Sequence, residues 1–313
     1  MHIVEKADVH RLLPYGELID WFEASLRAEA PESAVMVRNE PGDGGNQFIA
    51  LVGWQRKRLV AVKLVGVFPH NLRRSPPQAS VQGLVCTFSG ETGAPLLVAD
   101  GEAMTFRKTA ADSALGARFL ARPDAESLLI VGAGGLAPHM ALAHCASRPS
   151  IRSVRIWNRT AERAVAVAAD LSALGLPAEA VTDLDSAVAE HDIISCVTMS
   201  EQPLVKGRLL KRGAHLDLVG SYLPTMRECD EEAIARSRVF VNRRNGIESA
   251  GDLVHAVASG SFGWEDIEAD AEDLCKGRHK GRVGADETTV YKNIGGGEFD
   301  LFTAACLLQK LEA

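Results

Sequence analysis

The sequence predicts an α/β protein in which a doubly wound parallel sheet follows an α+β region, and three observations carry that reading. The run Ser127-Leu-Leu-Ile-Val-Gly132-Ala-Gly134-Gly135-Leu-Ala137 has the form of a buried strand, a glycine turn and a helix start. From residue 128 onward, short apolar runs alternate with helical stretches, as in a parallel sheet covered on both faces. Before it, strand-like runs are separated by turn residues, as in an antiparallel sheet.

Taken in order, a helix is expected over 15–28 and strands over 48–54, 59–67, 81–88 and 95–100. The turns Pro41-Gly-Asp-Gly-Gly45 and Ser89-Gly-Glu-Thr-Gly93 punctuate them. Arg56-Lys57-Arg58, between two apolar runs, reads as a solvated hairpin turn. A helical run over 110–120 leads to Ala121-Arg-Pro-Asp124, a domain boundary by its composition. Strands then fall at 128–131, 154–157, 192–197, 215–219 and 239–241, with a helix over 161–174. The segment from Thr289 to Asp300 turns glycine-rich before a final apolar helix to Leu311.

The glycine turn carries chemistry. Gly132, Gly134 and Ala137 form a G-x-G-x-x-A pattern, which arises by chance in Gly/Ala-rich chains and then marks only a tight turn. Here a strand precedes it, Pro138 suits a helix start, and the strand at 154–157 follows at the spacing of a βαβ unit. Glycines admit a pyrophosphate to the backbone, and a helix N-terminus offers it free N–H groups. The second strand then selects the dinucleotide. An acid at its end would bond a ribose 2′-hydroxyl, but Asn158-Arg159-Thr160 stands there. Arg159 suits a phosphate, and Asn158 and Thr160 add hydrogen-bond donors. Thr160 also reads as the cap of the next helix. NADP(H) is the expected cofactor, with NAD(H) the alternative.

Composition narrows the class. A chain of 313 residues accommodates two domains. No apolar run approaches the roughly eighteen residues of a membrane span, and no signal-peptide pattern opens the sequence. The net charge of -7 argues against a nucleic-acid surface. Cysteines 86, 145, 196, 229, 275 and 306 are scattered without metal-ligand spacing, so they read as core residues of a reducing cytoplasm. His139 and His144 are spaced for packing rather than chelation, and no metal site is expected.

Several segments together resemble the ornithine cyclodeaminase/mu-crystallin family across nearly the whole chain. They are Val37-Arg38, Val62-Lys63-Leu64, Pro69-His-Asn71, Thr105-Phe-Arg-Lys-Thr-Ala-Ala111 and Gly132-Ala-Gly134, then Arg155-Ile-Trp-Asn-Arg-Thr160 and Thr198-Met-Ser200 with Pro203. Asp217-Leu-Val-Gly-Ser-Tyr222 with Pro224 and Arg227-Glu228, Gly251-Asp252-Leu253, and Val290-Tyr-Lys292 with Gly295 complete the series. The resemblance implies a Rossmann domain, here 121–289, and an α+β substrate and dimerisation domain, here 1–120 rejoined by 290–313. It implies small amino or imino acid substrates and a homodimer. Arg38 and Lys63 match the family's residues that hold the substrate carboxylate and polarise its nitrogen. Lys63 is then a proton donor, whereas by strand pattern alone it reads as an exposed surface residue. The family's Arg before Thr-Ala-Ala is Lys108 here, with Arg107 one step earlier, so either takes the carboxylate. Thr198, Ser200, Val219 and Ser221 are expected on the nicotinamide side. Lys292 with the glycine turn at 295–297 closes the cofactor pocket or serves as an inter-domain return.

Cyclodeaminases of this family carry an Asp where Tyr222 stands, and a phenol neutral near pH 7 is a poor base for ammonia loss. Reduction of a preformed cyclic imine needs only a hydride on carbon and a proton on nitrogen. The segment around Tyr222 also resembles the branch of Δ1-pyrroline-2-carboxylate and Δ1-piperideine-2-carboxylate reductases. The expected activity is therefore reduction of such a ketimine to L-proline or a homologue. Ornithine cyclodeamination and a non-catalytic NADPH-binding role are the alternatives, and the sequence leaves ring size open.

Overall fold

In the computed structural model, residues 1–28, 31–42, 45–76 and 78–312 are described. The chain divides into two units, Met1–Thr109 with Gly295–Ala313, and Ala110–Ile294. The division falls inside a helix, upstream of the Ala121–Asp124 turn where composition puts it. Asp43 and Gly44 of the Pro41–Gly45 turn lie outside the described residues.

The first unit runs β1 (His2–Val4), α1 (Lys6–Leu12), α2 (Tyr15–Arg27), β2 (Glu32–Asn39), β3 (Gln47–Gln55), β4 (Leu59–Val67), β5 (Val81–Ser89) and β6 (Pro95–Asp100). Its six-stranded sheet has the order β1-β6-β5-β4-β3-β2; β2 to β6 are antiparallel neighbours, and β1 lies parallel to β6. The Arg56–Arg58 stretch is the exposed β3–β4 turn, with Lys57 at φ 59. Strand β2 was not expected. It lies at the sheet edge with every residue exposed or half-buried, so it lacks the alternation that marks a strand.

The helix expected over 110–120 is longer, α3 (Gly101–Leu120). Its first half mixes polar and apolar residues, and Asp100 starts it by accepting the Ala103 N–H at 2.7 Å. The second unit continues with β7 (Ser127–Val131), α4 (Ala137–Ser147), β8 (Ser153–Trp157), α5 (Ala161–Ala173), β9 (Ala178–Val181), α6 (Leu184–Glu190), β10 (Ile193–Cys196) and β11 (His215–Leu218). Then come α7 (Glu231–Ala235), β12 (Arg238–Val241), α8 (Gly251–Ala258), β13 (Ile267–Asp270), α9 (Ala271–Cys275) and β14 (Thr289–Lys292). All eight strands pair in parallel, in the order β13-β12-β14-β11-β10-β7-β8-β9. The sequence reading found five of them. It passed over β9 and β13, and it took β14 for the start of the glycine-rich return. β9 (Ala-Glu-Ala-Val) and β13 (Ile-Glu-Ala-Asp) mix alanine with acids and lack the run of large apolar residues that marks a short buried strand, and in β14 the lysine hid a segment that is buried throughout.

From β7 the chain winds outward through β8 to β9, then returns to place β10 and β11 on the other side. Between β7 and β10 lies the topological switch point, where open parallel sheets bind ligands at the carboxyl ends of their strands. Among the described residues no helix is long and apolar enough to cross a membrane.

The last helix, α10 (Gly297–Glu312), belongs to the first unit and packs across β3 and β4. A Cβ on Gly53 would lie 2.6 Å from the Gly297 carbonyl oxygen and 2.8 Å from Leu301 Cβ, so glycine at 53 lets the helix close on the sheet. Phe22 of α2 meets Phe299 and Phe302 of α10 with ring centroids 5.4 and 6.2 Å apart. Opposed residues share a sheet face and successive ones alternate. The register therefore puts Leu51, Lys63 and Val85 on the face under α10, and Phe48, Trp54, Leu84 and Phe88 on the other.

Candidate active site

The second unit holds a cavity of about 330 Å³ at the carboxyl ends of β7, β8 and β10. Gly132, Ala133 and Gly134 form one wall, Trp157 to Thr160 and Arg163 another, and Val197 to Ser200 with Leu204 a third. Gly132 sits at φ +124, and a Cβ there would also come within 2.9 Å of the Val197 carbonyl oxygen. At Gly134 a Cβ would meet nothing within 4 Å: it would fill the cradle instead of the protein. Ala137, fully buried, begins α4; its N–H donates to the Gly134 carbonyl at 3.0 Å, Pro138 has no N–H, and the Leu136 cap offers no side-chain acceptor. The glycines thus leave the backbone at Gly134 open to close approach, one of the two features a pyrophosphate needs.

At the end of β8 the Asn158 amide donates to the Thr160 carbonyl at 2.9 Å. Thr160 occupies the cap position of α5, but its hydroxyl makes no cap bond. Arg159 and Arg163 are both exposed. Among the described residues no acidic side chain lines the cavity, and this corner of it presents Arg159, Arg163 and the Thr160 hydroxyl.

Thr198 and Ser200, expected on the nicotinamide side, line the third wall. Val219 is half-buried just beyond β11. Ser221 and Lys292, expected to meet the cofactor, are wholly buried. The Lys292 ammonium donates to Ser221 Oγ at 2.6 Å and lies 3.4 Å from Asp252, while the Ser221 hydroxyl donates to the same carboxylate. A buried ammonium must be paired, and this one is consumed inside the unit. Both residues brace the strand ends and neither faces the open cavity. Glu228 ties the two loops together. Its Oε1 accepts the Thr198 N–H at 2.5 Å and hydroxyl at 2.9 Å, and its Oε2 accepts the Gly220 N–H at 2.7 Å. Burial pushes this carboxyl up to about 7 against the pull of Lys292. Gly220 is glycine because a Cβ would overlap the Thr198 carbonyl.

The first unit holds a separate cluster. Lys63 faces α10 from β4, and its ammonium lies 3.6 Å from Asp300 Oδ1; the Lys108 ammonium lies 3.7 Å from the same oxygen. All three residues are at most 7% exposed. Burial brings the Lys63 ammonium down to about 8, with Asp300 opposing and Lys108 adding to the shift. Strand pattern alone had put Lys63 at the surface; α10, supplied from the far end of the chain, covers it. Gly295 leaves room for Lys108, since a Cβ there would lie 2.9 Å from its Nζ.

Arg107 and Arg38 are not brought to this cluster. The Arg107 guanidinium stacks 4.3 Å over the Tyr15 ring and donates to the His10 carbonyl at 2.8 Å and to His10 Nδ1 at 3.1 Å. Arg38, exposed near the end of β2, donates to the Val37 carbonyl at 3.3 Å and, by the register through Phe48 and Gly66, belongs to the face opposite Lys63. Tyr222 is 46% exposed in the loop after β11.

Sequence reasoning missed Asp300 and Arg163, and it named Glu228 and Asp252 within the segments of the resemblance without giving them a role. Asp300 reads in sequence as an ordinary acid in the first turn of a helix, and nothing local signals the two lysines. Among the described residues, no group of three or more His, Cys, Asp or Glu side chains could hold a metal ion.

The family model described as "Ornithine cyclodeaminase/mu-crystallin family" matches residues 2–312. The Δ1-pyrroline-2-carboxylate reductase of Paracoccus denitrificans is 38% identical over 310 residues, covering 97% of this chain and 98% of that protein. Protein SAR DEFICIENT 4 of Arabidopsis thaliana is 39% identical over 301 residues, covering 94% and 92%. Among solved structures, the Δ1-pyrroline-2-carboxylate reductase of Thermococcus litoralis in complex with NADH and L-proline superposes with a TM-score of 0.91 at 26% identity, covering 100% of this chain and 98% of that one.

Proposed function

The chain belongs to the ornithine cyclodeaminase/mu-crystallin family, and from that premise we propose that it reduces a small cyclic imino acid of the Δ1-pyrroline-2-carboxylate type to an L-amino acid such as proline. The observation that carries this reading is the likeness to the Paracoccus reductase over 97% of the chain. The buried Lys63–Asp300–Lys108 cluster supports it: two ammonium groups and one carboxylate leave one net positive charge for a monoanionic substrate.

A nicotinamide dinucleotide fits the cavity of the second unit, with Gly132, Gly134 and the start of α4 for its pyrophosphate and Thr198 and Ser200 for its nicotinamide side. When bound it supplies the hydride that adds to the imine carbon. The chain's own groups do the rest. Lys108 holds the substrate carboxylate as a point charge. Lys63, protonated at neutral pH and easily deprotonated by virtue of its burial, gives its proton to the ring nitrogen, so that C=N becomes CH–NH. For Arg38 as a second carboxylate ligand, the family resemblance is the sole support.

NADP(H) is the preferred cofactor in this reading, supported by the acid-free Asn158-Arg159-Thr160 corner with Arg163 beside it. A homodimer is supported by the open sheet face, where Phe48 and Trp54 are 47% and 52% exposed. Six cysteines, all free, suit a reducing cytoplasm.

NADPH oxidation with Δ1-pyrroline-2-carboxylate and its six-membered analogue, run beside L-ornithine, tests the proposal. Imine turnover without ammonia release from ornithine is expected. Proline and ammonia from ornithine would replace the reading with cyclodeamination, and NADPH binding without turnover of any imine would replace it with a binding role.

A further inference from the structure

Asp300 is the buried acid of the lysine cluster in the first unit. It is 2% exposed on the first turn of α10, and among the described residues neither of its carboxylate oxygens has a hydrogen-bond partner. Its companions are the two ammonium groups at 3.6 and 3.7 Å, distances of ion pairs too long for hydrogen bonds. A carboxylate buried this way is costly unless nearby positive charge compensates it. Two lysines share one oxygen, so the carboxylate can neutralise only one of them at a time.

Resting on the imine-reductase reading, we propose that Asp300 is a positioning residue: a shared counter-ion that keeps Lys63 protonated until its proton is needed, then remains paired with Lys108. The proton balance follows the cluster. Before reaction Lys63 and Lys108 are both ammonium, Asp300 is ionised, and the bound carboxylate brings the net charge to zero. As two electrons enter the C=N bond with the hydride, a proton leaves Lys63 Nζ for the ring nitrogen. Lys63 is left as a neutral amine, and the Asp300–Lys108 ion pair is intact. Solvent then reprotonates Lys63.

The groups facing Lys63 limit what else could set its charge. From β3 and β5 its cross-strand neighbours are Leu51 and Val85, both apolar. Lys108 on α3 opposes its protonation, and Asp300 on α10 favours it. A lysine this enclosed, beside a second ammonium, would lose its proton well below neutral-to-alkaline pH without the carboxylate. The arrangement also ties catalysis to packing, because α10 delivers Asp300 only where Gly53 lets the helix reach the sheet.

The test compares the unmodified protein with Asp300→Asn and Asp300→Glu by two readouts. One is the pH profile of kcat/KM for Δ1-pyrroline-2-carboxylate. The other is the pH midpoint of Lys63 acetylation in competitive labelling read by mass spectrometry, which needs neither substrate nor cofactor. In the unmodified protein both should break near pH 8, activity falling above it because the donor has lost its proton. In Asp300→Asn both should move down together by about one pH unit or more, the effect of removing an opposite charge at this range. Asp300→Glu should keep the original midpoint, and NADPH affinity should be equal in all three, which reports that each is folded. A uniform fall in rate with both midpoints unmoved in Asp300→Asn would reduce Asp300 to a structural residue and overturn the proposal. Should no imine be turned over by the unmodified protein, the reductase reading fails; the labelling midpoint still decides whether Asp300 sets the charge of Lys63.

Discussion

Replacing Arg159 with Ala tests the proposed basis of a preference for NADPH. Arg159 is exposed at the start of α5, beside the half-buried Trp157 and Asn158 in the cavity wall. Among the described residues its guanidinium has no ion-pair or hydrogen-bond partner, so its removal should leave the fold untouched and place the whole effect on the ligand. A charge-assisted hydrogen bond to phosphate is worth about 1.5–3 kcal/mol. Solvent screening of an exposed guanidinium favours the lower end of that range. The expected loss is therefore about tenfold in NADPH affinity, from about 1.4 kcal/mol per decade, with NADH affinity nearly unchanged. Trp157 lines the cavity and supplies the assay, since its fluorescence should respond to either dinucleotide. Titrations at low and high salt add a second check: the NADPH advantage should shrink as ionic strength rises, whereas a hydrogen bond to the neutral ribose would be indifferent. Equal affinity for the two cofactors in the unmodified protein would refute the reasoning, and so would an Arg159→Ala variant that keeps the full NADPH preference.

Three further outcomes follow from the same geometry. Lys108→Met should lower kcat/KM for the imine by about tenfold to a hundredfold through loss of a charged anchor, while Arg107→Met should leave kcat/KM near that of the unmodified protein and lower thermal stability, because its partners are Tyr15 and His10; the reverse pattern would move the anchor to Arg107. Tyr222→Phe should retain most ketimine reduction, since adding a hydride and a proton to a preformed imine calls for no base in the loop after β11; loss of turnover with NADPH binding intact would make that hydroxyl part of the chemistry. Gly53→Ala should destabilise the protein by about 1–3 kcal/mol in denaturant unfolding, as overpacking against Gly297 and Leu301 requires; unchanged stability would mean that α10 does not close on β3 at that point.

The amino-acid sequence by itself determined the parts of this protein that depend on neighbours along the chain. The strand, glycine turn and helix at 127–147 are local: a run of apolar residues, a position that only glycine occupies at φ +124, and a proline where a helix begins. The acid-free corner after β8 is local too, so Asn158, Arg159 and Thr160 are legible in the sequence, whereas Arg163, Trp157 and Leu204 join them in one cavity only through the fold. What only the tertiary structure decided are the pairings between distant residues. Strand β14 is a central member of the parallel sheet although four residues carry no period. Lys292 and Ser221 turned inward because Asp252 and Glu228 occupy the same interior and a buried charge must be matched. Of two adjacent cations, helix geometry sends Lys108 toward Asp300 and Arg107 toward Tyr15, a choice set by roughly 100° of rotation per residue. Lys63 became a buried, depressed ammonium only because a helix nearly 240 residues later covers its strand and brings a carboxylate with it. Charge state follows from what surrounds a group in space, and no pattern in the flanking sequence of Lys63 carries that information.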